Sequence, residues 1–228
     1  MPALTWDDTG KRFYEMGVQK GVLYVQKSDG TYEDGVAWNG LTAVTESPDG
    51  AEATDLWADN IKYASLRSAE TFGGTIEAYT YPDEWLACDG FATPVNGVML
   101  GQQKRASFGF CYRTEVGNDT SSESDDGYQL HLVWNATASP SERAYETIND
   151  SPDAITFSWE FDTTPVAVTG YKPTAHITID TTRLDAAGKT ALATLETMLY
   201  GGSATNQKPT LPTPITVLTT MGYVAPST

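Results

Sequence analysis

Cysteine, histidine and positive charge are all scarce in this 228-residue chain. The two cysteines, Cys88 and Cys111, supply neither a disulfide framework nor a zinc pattern. Each reads as a reduced small filler, Cys88 near a turn and Cys111 within a strand. The two histidines, His131 and His176, fall in strand-like segments and share no ligand spacing such as HExxH, so no metal ligand is assigned to them. Fourteen Lys and Arg stand against thirty Asp and Glu, a net charge of -16. That balance excludes a protein that grips nucleic acid, because such grip comes from cations replacing counterions on phosphates. No apolar run approaches the roughly 20 residues needed to cross a bilayer. The start, Met-Pro-Ala-Leu-Thr-Trp-Asp-Asp, has neither a basic nor an apolar leader region. No secretory signal is therefore expected, and the chain is expected in a reducing cytoplasm.

Catalytic signatures are also missing. No G-x-S-x-G elbow occurs. Gly188-Lys189-Thr190 ends like a phosphate-binding loop, but the required earlier glycine is Arg183 and the tripeptide sits in a helical pattern. Asp125-Asp126, or Asp119 with Glu123, lack EF-hand spacing and read as a solvated loop. Asp83, Glu84, Glu142, Glu160 and Asp162 offer carboxylates without any sign of a shared cleft. The expectation is no enzyme, no cofactor and no metal.

What is present is β-pattern. From Ile155 to Asp162, Ile155, Phe157, Trp159 and Phe161 alternate with Thr156, Ser158, Glu160 and Asp162. Period-2 alternation predicts a strand with one buried face and one wet, acidic face. Similar signals cover Gly21–Gln26, Thr75–Tyr81, 108–116, 128–135 and His176–Asp180. They predict a mainly β fold, an antiparallel β-sandwich or barrel-like domain, with one face of the sheet solvated. The polar stretch 117–127 is too long for a tight hairpin and is expected to be a mobile tip. One amphipathic helix is predicted at about 184–200, with Leu184, Ala187, Ala191, Leu192, Leu195 and Leu199 on one stripe, Thr182 as cap and Gly201-Gly202 as stop. A shorter helical turn is predicted at Pro82 to Cys88. The predicted organisation is an N-terminal arm at 1–20, a β domain at 21–200 with a long irregular segment at 31–62, and a Thr/Pro-rich C-terminal arm at 201–228.

Charge is segregated along the chain. Asp29, Glu33, Asp34, Glu46, Asp49, Glu52, Asp55 and Asp59 follow one another without a Lys or Arg. Basic residues gather at Lys11, Arg12, Lys20 and Lys27, then at Lys104, Arg105 and Arg113. Such segregation allows head-to-tail attraction between copies.

Several runs, in order, carry a family likeness: Gly21-Val22-Leu23-Tyr24, Val36-Ala37-Trp38-Asn39-Gly40-Leu41, Thr45-Glu46-Ser47-Pro48, Gly50-Ala51-Glu52 and Ala58-Asp59-Asn60-Ile61-Lys62-Tyr63. Thr75 to Pro82, Phe108 to Thr114, Gly117-Asn118-Asp119, Ala138 to Glu142 and Phe157-Ser158-Trp159 continue it. Over roughly residues 10 to 185 the chain resembles siphophage major tail (tail tube) proteins. The resemblance implies a β-sandwich or barrel flanked by a helix, with six copies forming a ring and rings stacking into a tube that conducts the genome. It implies a virion protein assembled in the host cytoplasm. Its partners would be itself, a tape-measure protein and tail initiator and terminator proteins, with viral DNA only in transit and no membrane. Glu160 and Asp162, with Glu115 or Asp180, are expected to face the lumen; the competing reading turns that wet face outward. Lys11, Arg12, Lys20, Trp38, Glu46, Asp49, Glu52 and Trp57 are expected at contacts between subunits. The alternatives are a related tube from a contractile tail or secretion machine, a β-sandwich module that binds carbohydrate or a receptor, and an acid-residue hydrolase.

Overall fold

A computed structural model of the chain describes residues 4–120, 127–145, 147–148, 154–202 and 206–225. The strands in chain order are β1 (Phe13–Val25), β2 (Val36–Trp38), β3 (Leu41–Glu46), β4 (Asp49–Gly50), β5 (Ala53–Ala58), β6 (Ile61–Arg67), β7 (Glu70–Thr71) and β8 (Gly73–Ala78). They continue with β9 (Ala92–Val95), β10 (Val98–Leu100), β11 (Phe108–Asn118), β12 (Gly127–Ala138), β13 (Phe157–Thr163) and β14 (His176–Asp180). Helices are few: α1 (Trp85–Cys88), α2 (Ala186–Tyr200) and α3 (Pro214–Thr220). The molecule is mainly antiparallel β, as the alternating segments predict.

The main sheet runs β2-β1-β11-β12-β13-β8-β3, with β14 also paired to β12. Its two end strands, β2 and β3, are joined by Asn39 and Gly40 alone, so the sheet curls until its ends meet. Gly40 takes φ +75° at that corner, and its carbonyl accepts the Tyr79 amide at 2.8 Å. Curling encloses a front core of Leu23, Trp38, Ile76, Trp85, Phe110, Trp159 and Phe161. Three tryptophans meet there, Trp38 and Trp85 with ring centroids 4.7 Å apart and Trp85 and Trp159 at 5.3 Å. Tilted and edge-on ring pairs of this kind add stability beyond the area they bury.

The sheet is not solvated on its second face along β1, β11 and β12. There, Val22, Tyr24, Cys111, Leu130, Leu132 and Trp134 pack under α2 and α3, which contribute Leu192, Leu195, Leu199 and Val217. Hence β11 is buried at nearly every position, a pattern that alternation of side-chain type does not reveal. Helix α2 matches its predicted span, but its cap is Asp185, whose carboxylate accepts the Gly188 amide at 2.7 Å. Thr182 instead bonds to Asp180 in the 3-10 turn Thr181–Arg183 before the helix. At its end Gly201 takes φ +80°.

Three expectations need correction. The segment 31–62 is not irregular; it holds β2 to β5 and the start of β6. Hairpin β5–β6 stands clear of the body, and with both faces wet it has no apolar–polar alternation to read. The residues before 21 are not an arm throughout, since β1 pairs with β11 from Phe13 onward. The C-terminal stretch docks on its own chain, with Leu211 and Val217 buried and the Trp134 indole donating to the Pro212 carbonyl at 2.8 Å. The predicted tip at 117–127 is strand up to Asn118, and its centre lies outside the described residues.

Candidate functional site: assembly surfaces and a buried polar cluster

The wet face of β13 is where the alternation puts it. Trp159 and Phe161 are buried while Glu160 and Asp162 are exposed. In register, Ser158 stands opposite Glu77, Glu160 opposite Thr75, and Thr45 of β3 opposite Thr75 again. The outer face of β3, β8 and β13 is therefore polar and negative. Among the described residues none of Glu77, Glu160 and Asp162 forms an ion pair. Ile155, expected to begin this strand, lies before it and is 42% exposed.

The other two acids do not join this face. Glu115 pairs with Tyr128 on the side of the sheet that carries α2, and it accepts the Gln19 amide at 2.6 Å. Asp180 stands opposite Gln129, on the same face as His131 and Thr178. It is committed locally, bonding the Thr182 amide at 2.9 Å and pairing with Arg183 at 2.9 Å. Only Glu160 and Asp162 remain together as a candidate wall.

The residues expected at subunit contacts divide in two. Trp38 is a core residue, 3% exposed, and its indole donates to the Thr80 carbonyl at 2.9 Å; it has no surface to offer a neighbour, which corrects that expectation. Lys11 and Arg12 are exposed but already tied within the chain, Lys11 to Asp8 at 3.1 Å and Arg12 to Asp119 at 3.7 Å. Lys20, with φ +52°, sits at a register break in β1 and lines a groove of about 630 Å³ beside β2. Asp49 and Glu52 lie exposed at the base of the β5–β6 hairpin.

Trp57 stands on that hairpin and is 68% exposed. Asp59 and Asn60, both at positive φ (50° and 63°), form the two-residue turn between β5 and β6 that matches the strands' right-handed twist. Every residue of the two strands is exposed except the partly covered Ala64. Leu56, Trp57, Ile61, Tyr63 and Leu66 thus form an apolar surface on an element paired only with itself. A second projection, β9–β10, exposes Val95, Val98, Met99 and Leu100.

Glu46, also expected at a subunit contact, lies in a cluster that the fold assembles from β3, β12 and β14 and that the sequence did not foresee. Glu46 Oε1 lies 3.2 Å from His131 Nδ1 and 3.4 Å from His176 Nε2. The Tyr112 hydroxyl donates to the same oxygen at 2.6 Å. His131 Nε2 meets Thr114 Oγ1 at 3.0 Å. The rings form a near-parallel ladder, Tyr112 on His131 (4.6 Å), His131 on His176 (5.8 Å) and His176 on Phe72 (4.5 Å). Hydrogen bonding to His131, with Tyr112 and the two imidazoles adding to it, holds the Glu46 carboxyl at about 2, well below the usual carboxylate range. Burial lowers the His176 imidazole below its ordinary value. Residues 46, 131 and 176 are distant in sequence, so no spacing motif could have found them. The alternation of Tyr112, His131 and Thr178 across paired strands is the one signal that could.

No protein-family model matches the chain, and no curated protein matches it. Among solved structures, the sheath/tube terminator of an extracellular contractile injection system, PVC, in its extended state is 12% identical. It aligns over 73% of this chain and 97% of its own, with a TM-score of 0.36. The anti-feeding prophage cap, a tube-terminating cap, is 11% identical over 78% of this chain and 99% of its own, at TM-score 0.37. A chain of the PVC sheath-tube complex is 12% identical over 71% of this chain and 88% of its own, at TM-score 0.30. These are loose likenesses, and no role passes through them to this chain.

Proposed function

We propose that the chain is a structural subunit that self-assembles into stacked hexameric rings, the tube of a non-contractile phage tail. The observation that carries this reading is the β5–β6 hairpin. A two-stranded hairpin alone in water is at best marginally stable. This one displays Leu56, Trp57, Ile61, Tyr63 and Leu66 to solvent with no layer beneath it. Its order therefore calls for a surface on another chain, and in a stacked tube that surface belongs to a subunit of the adjacent ring. The resemblance of residues 10 to 185 to siphophage tail tube proteins supports the same conclusion. Glu160 and Asp162 then serve as wall residues, repelling rather than binding DNA within about 8 Å at physiological salt. Tape-measure, initiator and terminator proteins complete the set of partners, and no catalytic step is assigned.

Light scattering and negative-stain microscopy across a concentration series test the reading. Growing mass with rings or hollow tubes supports it, and Trp57→Ser with Ile61→Ser should abolish the growth. Monomer mass at every concentration overturns self-assembly. It would favour the carbohydrate- or receptor-binding alternative, for which exposed Trp57 and Tyr63 would be the stacking residues.

A further inference from the structure

We propose that Glu46, His131 and His176 form a binding site for a borderline divalent transition ion, zinc foremost. Their ligand atoms all lie within 4.8 Å of one another. The Glu46 oxygen is 3.2 Å and 3.4 Å from the two imidazole nitrogens. Zinc bonds of about 2.0–2.1 Å arranged as a tetrahedron place ligand atoms roughly 3.3 Å apart, so these two edges already have the required length. Two imidazoles and one carboxylate suit zinc, cobalt or nickel and not calcium or magnesium, which prefer oxygen alone.

The surroundings have the anatomy of a metal site. A ligating imidazole usually donates its second ring N–H to a fixed acceptor, which sets the tautomer. Thr114 Oγ1, 3.0 Å from His131 Nε2, is placed to accept that proton once an ion takes the place of the Nδ1 hydrogen that otherwise bonds Glu46. The Tyr112 hydroxyl donates to the same Glu46 oxygen at 2.6 Å and so holds the carboxylate in place. His131 is buried, whereas the Glu46 side chain is 36% exposed, which opens a path for the ion and leaves a position for water. One adjustment is needed. The two rings lie within 7° of parallel, so their lone pairs do not converge as they stand. His176, the more exposed ring, turns on Phe72 to meet the ion. The site ties the end of β3 to β12 and β14, elements that share no direct strand pairing with β3.

The test uses the full chain in dispersed, unassembled form after chelator treatment, so it does not depend on the tail reading. Zinc is titrated by calorimetry, and cobalt(II) by its visible absorption. A single ion per chain is expected, with the intense visible bands of a tetrahedral cobalt site. Glu46→Gln and His176→Gln should each weaken zinc by at least about 100-fold, and Thr114→Val by about 10- to 100-fold through loss of its orienting contact. Glu46→Gln preserves size and hydrogen bonding, so it separates ligation from folding if His176→Gln fails to fold. Absence of stoichiometric uptake, or uptake unchanged in Glu46→Gln, overturns the proposal and leaves the cluster as a hydrogen-bonded ladder only.

Discussion

Asp89 shows how one residue secures the wall of the front core. Its carboxylate is 5% exposed and receives Arg105 at 3.2 Å, Arg143, and the Trp159 indole at 3.3 Å. Removing one partner of a buried ion pair strands the others, at a cost of about 3–5 kcal/mol. Asp89→Ala is therefore predicted to lower the unfolding free energy by that amount, whereas Arg105→Ala, which leaves Arg143 in place, costs less. Chemical unfolding of both variants checks the ordering. The cysteines give a second residue-scale prediction. Burial pushes both thiols up to about 12, and the thiolate is the reactive form. Both should resist alkylation at mildly alkaline pH in the native state and label fully in denaturant. Rapid native labelling of Cys111 would contradict its position beneath Tyr200. At this scale the sequence was readable where one face of a strand is wet. Glu160 against Trp159 is such a case. It was unreadable where both faces are covered: Cys111 and Phe110 look like two faces of one strand, yet each packs into a different core.

Among the elements, α3 seals the rear core. Leu211 and Val217 bury their side chains against β1, β11 and β12, and each is worth about 1.5–3 kcal/mol when fully buried. Gly109 makes room for this closure, since a Cβ there would meet Leu211 Cδ2 at 2.2 Å. Truncation after residue 210 is predicted to destabilise the chain by several kcal/mol and to expose surface that binds a hydrophobic dye. A thermal melt unchanged by that truncation would show the segment to be dispensable. Hairpin β5–β6 behaves in the opposite way. Trp57→Ser with Ile61→Ser should change monomer stability by less than about 0.5 kcal/mol, as for other exposed positions, while removing assembly. Helix α2 was legible because its stripe of leucines has helical spacing and its glycine stop is explicit. The hairpin was not, because an element exposed on both sides carries no periodicity, and only the turn residues Asp59 and Asn60 announce it.

For the whole molecule, charge and apolar surface pull in different directions. Each subunit brings a net charge of -16 to any assembly, and copies repel at low ionic strength. Lys11 and Arg12 are spent on Asp8 and Asp119 within the chain, so attraction between basic and acidic stretches is weaker than the sequence implied. Added salt is therefore predicted to promote ring or tube formation by screening repulsion; a fall in scattered light with salt would show that charge attraction dominates. What the sequence revealed here was the class of fold. What it hid was the curl of the main sheet and the convergence of Glu46, His131 and His176, since both depend on strands far apart in the chain.

The pairing of β1 with β11 has a consequence in time. Tyr24 faces Gly109 across that ladder, so β1 waits for a partner strand that is made much later in the chain. Pairings this distant in sequence slow folding, because the intervening loop must close before any contact rewards it. During that wait the future core strands offer open edges to other unfinished copies. Under the proposed self-assembly, the chain must therefore complete its own sheet before it meets its neighbours, and its yield on refolding should fall steeply as concentration rises.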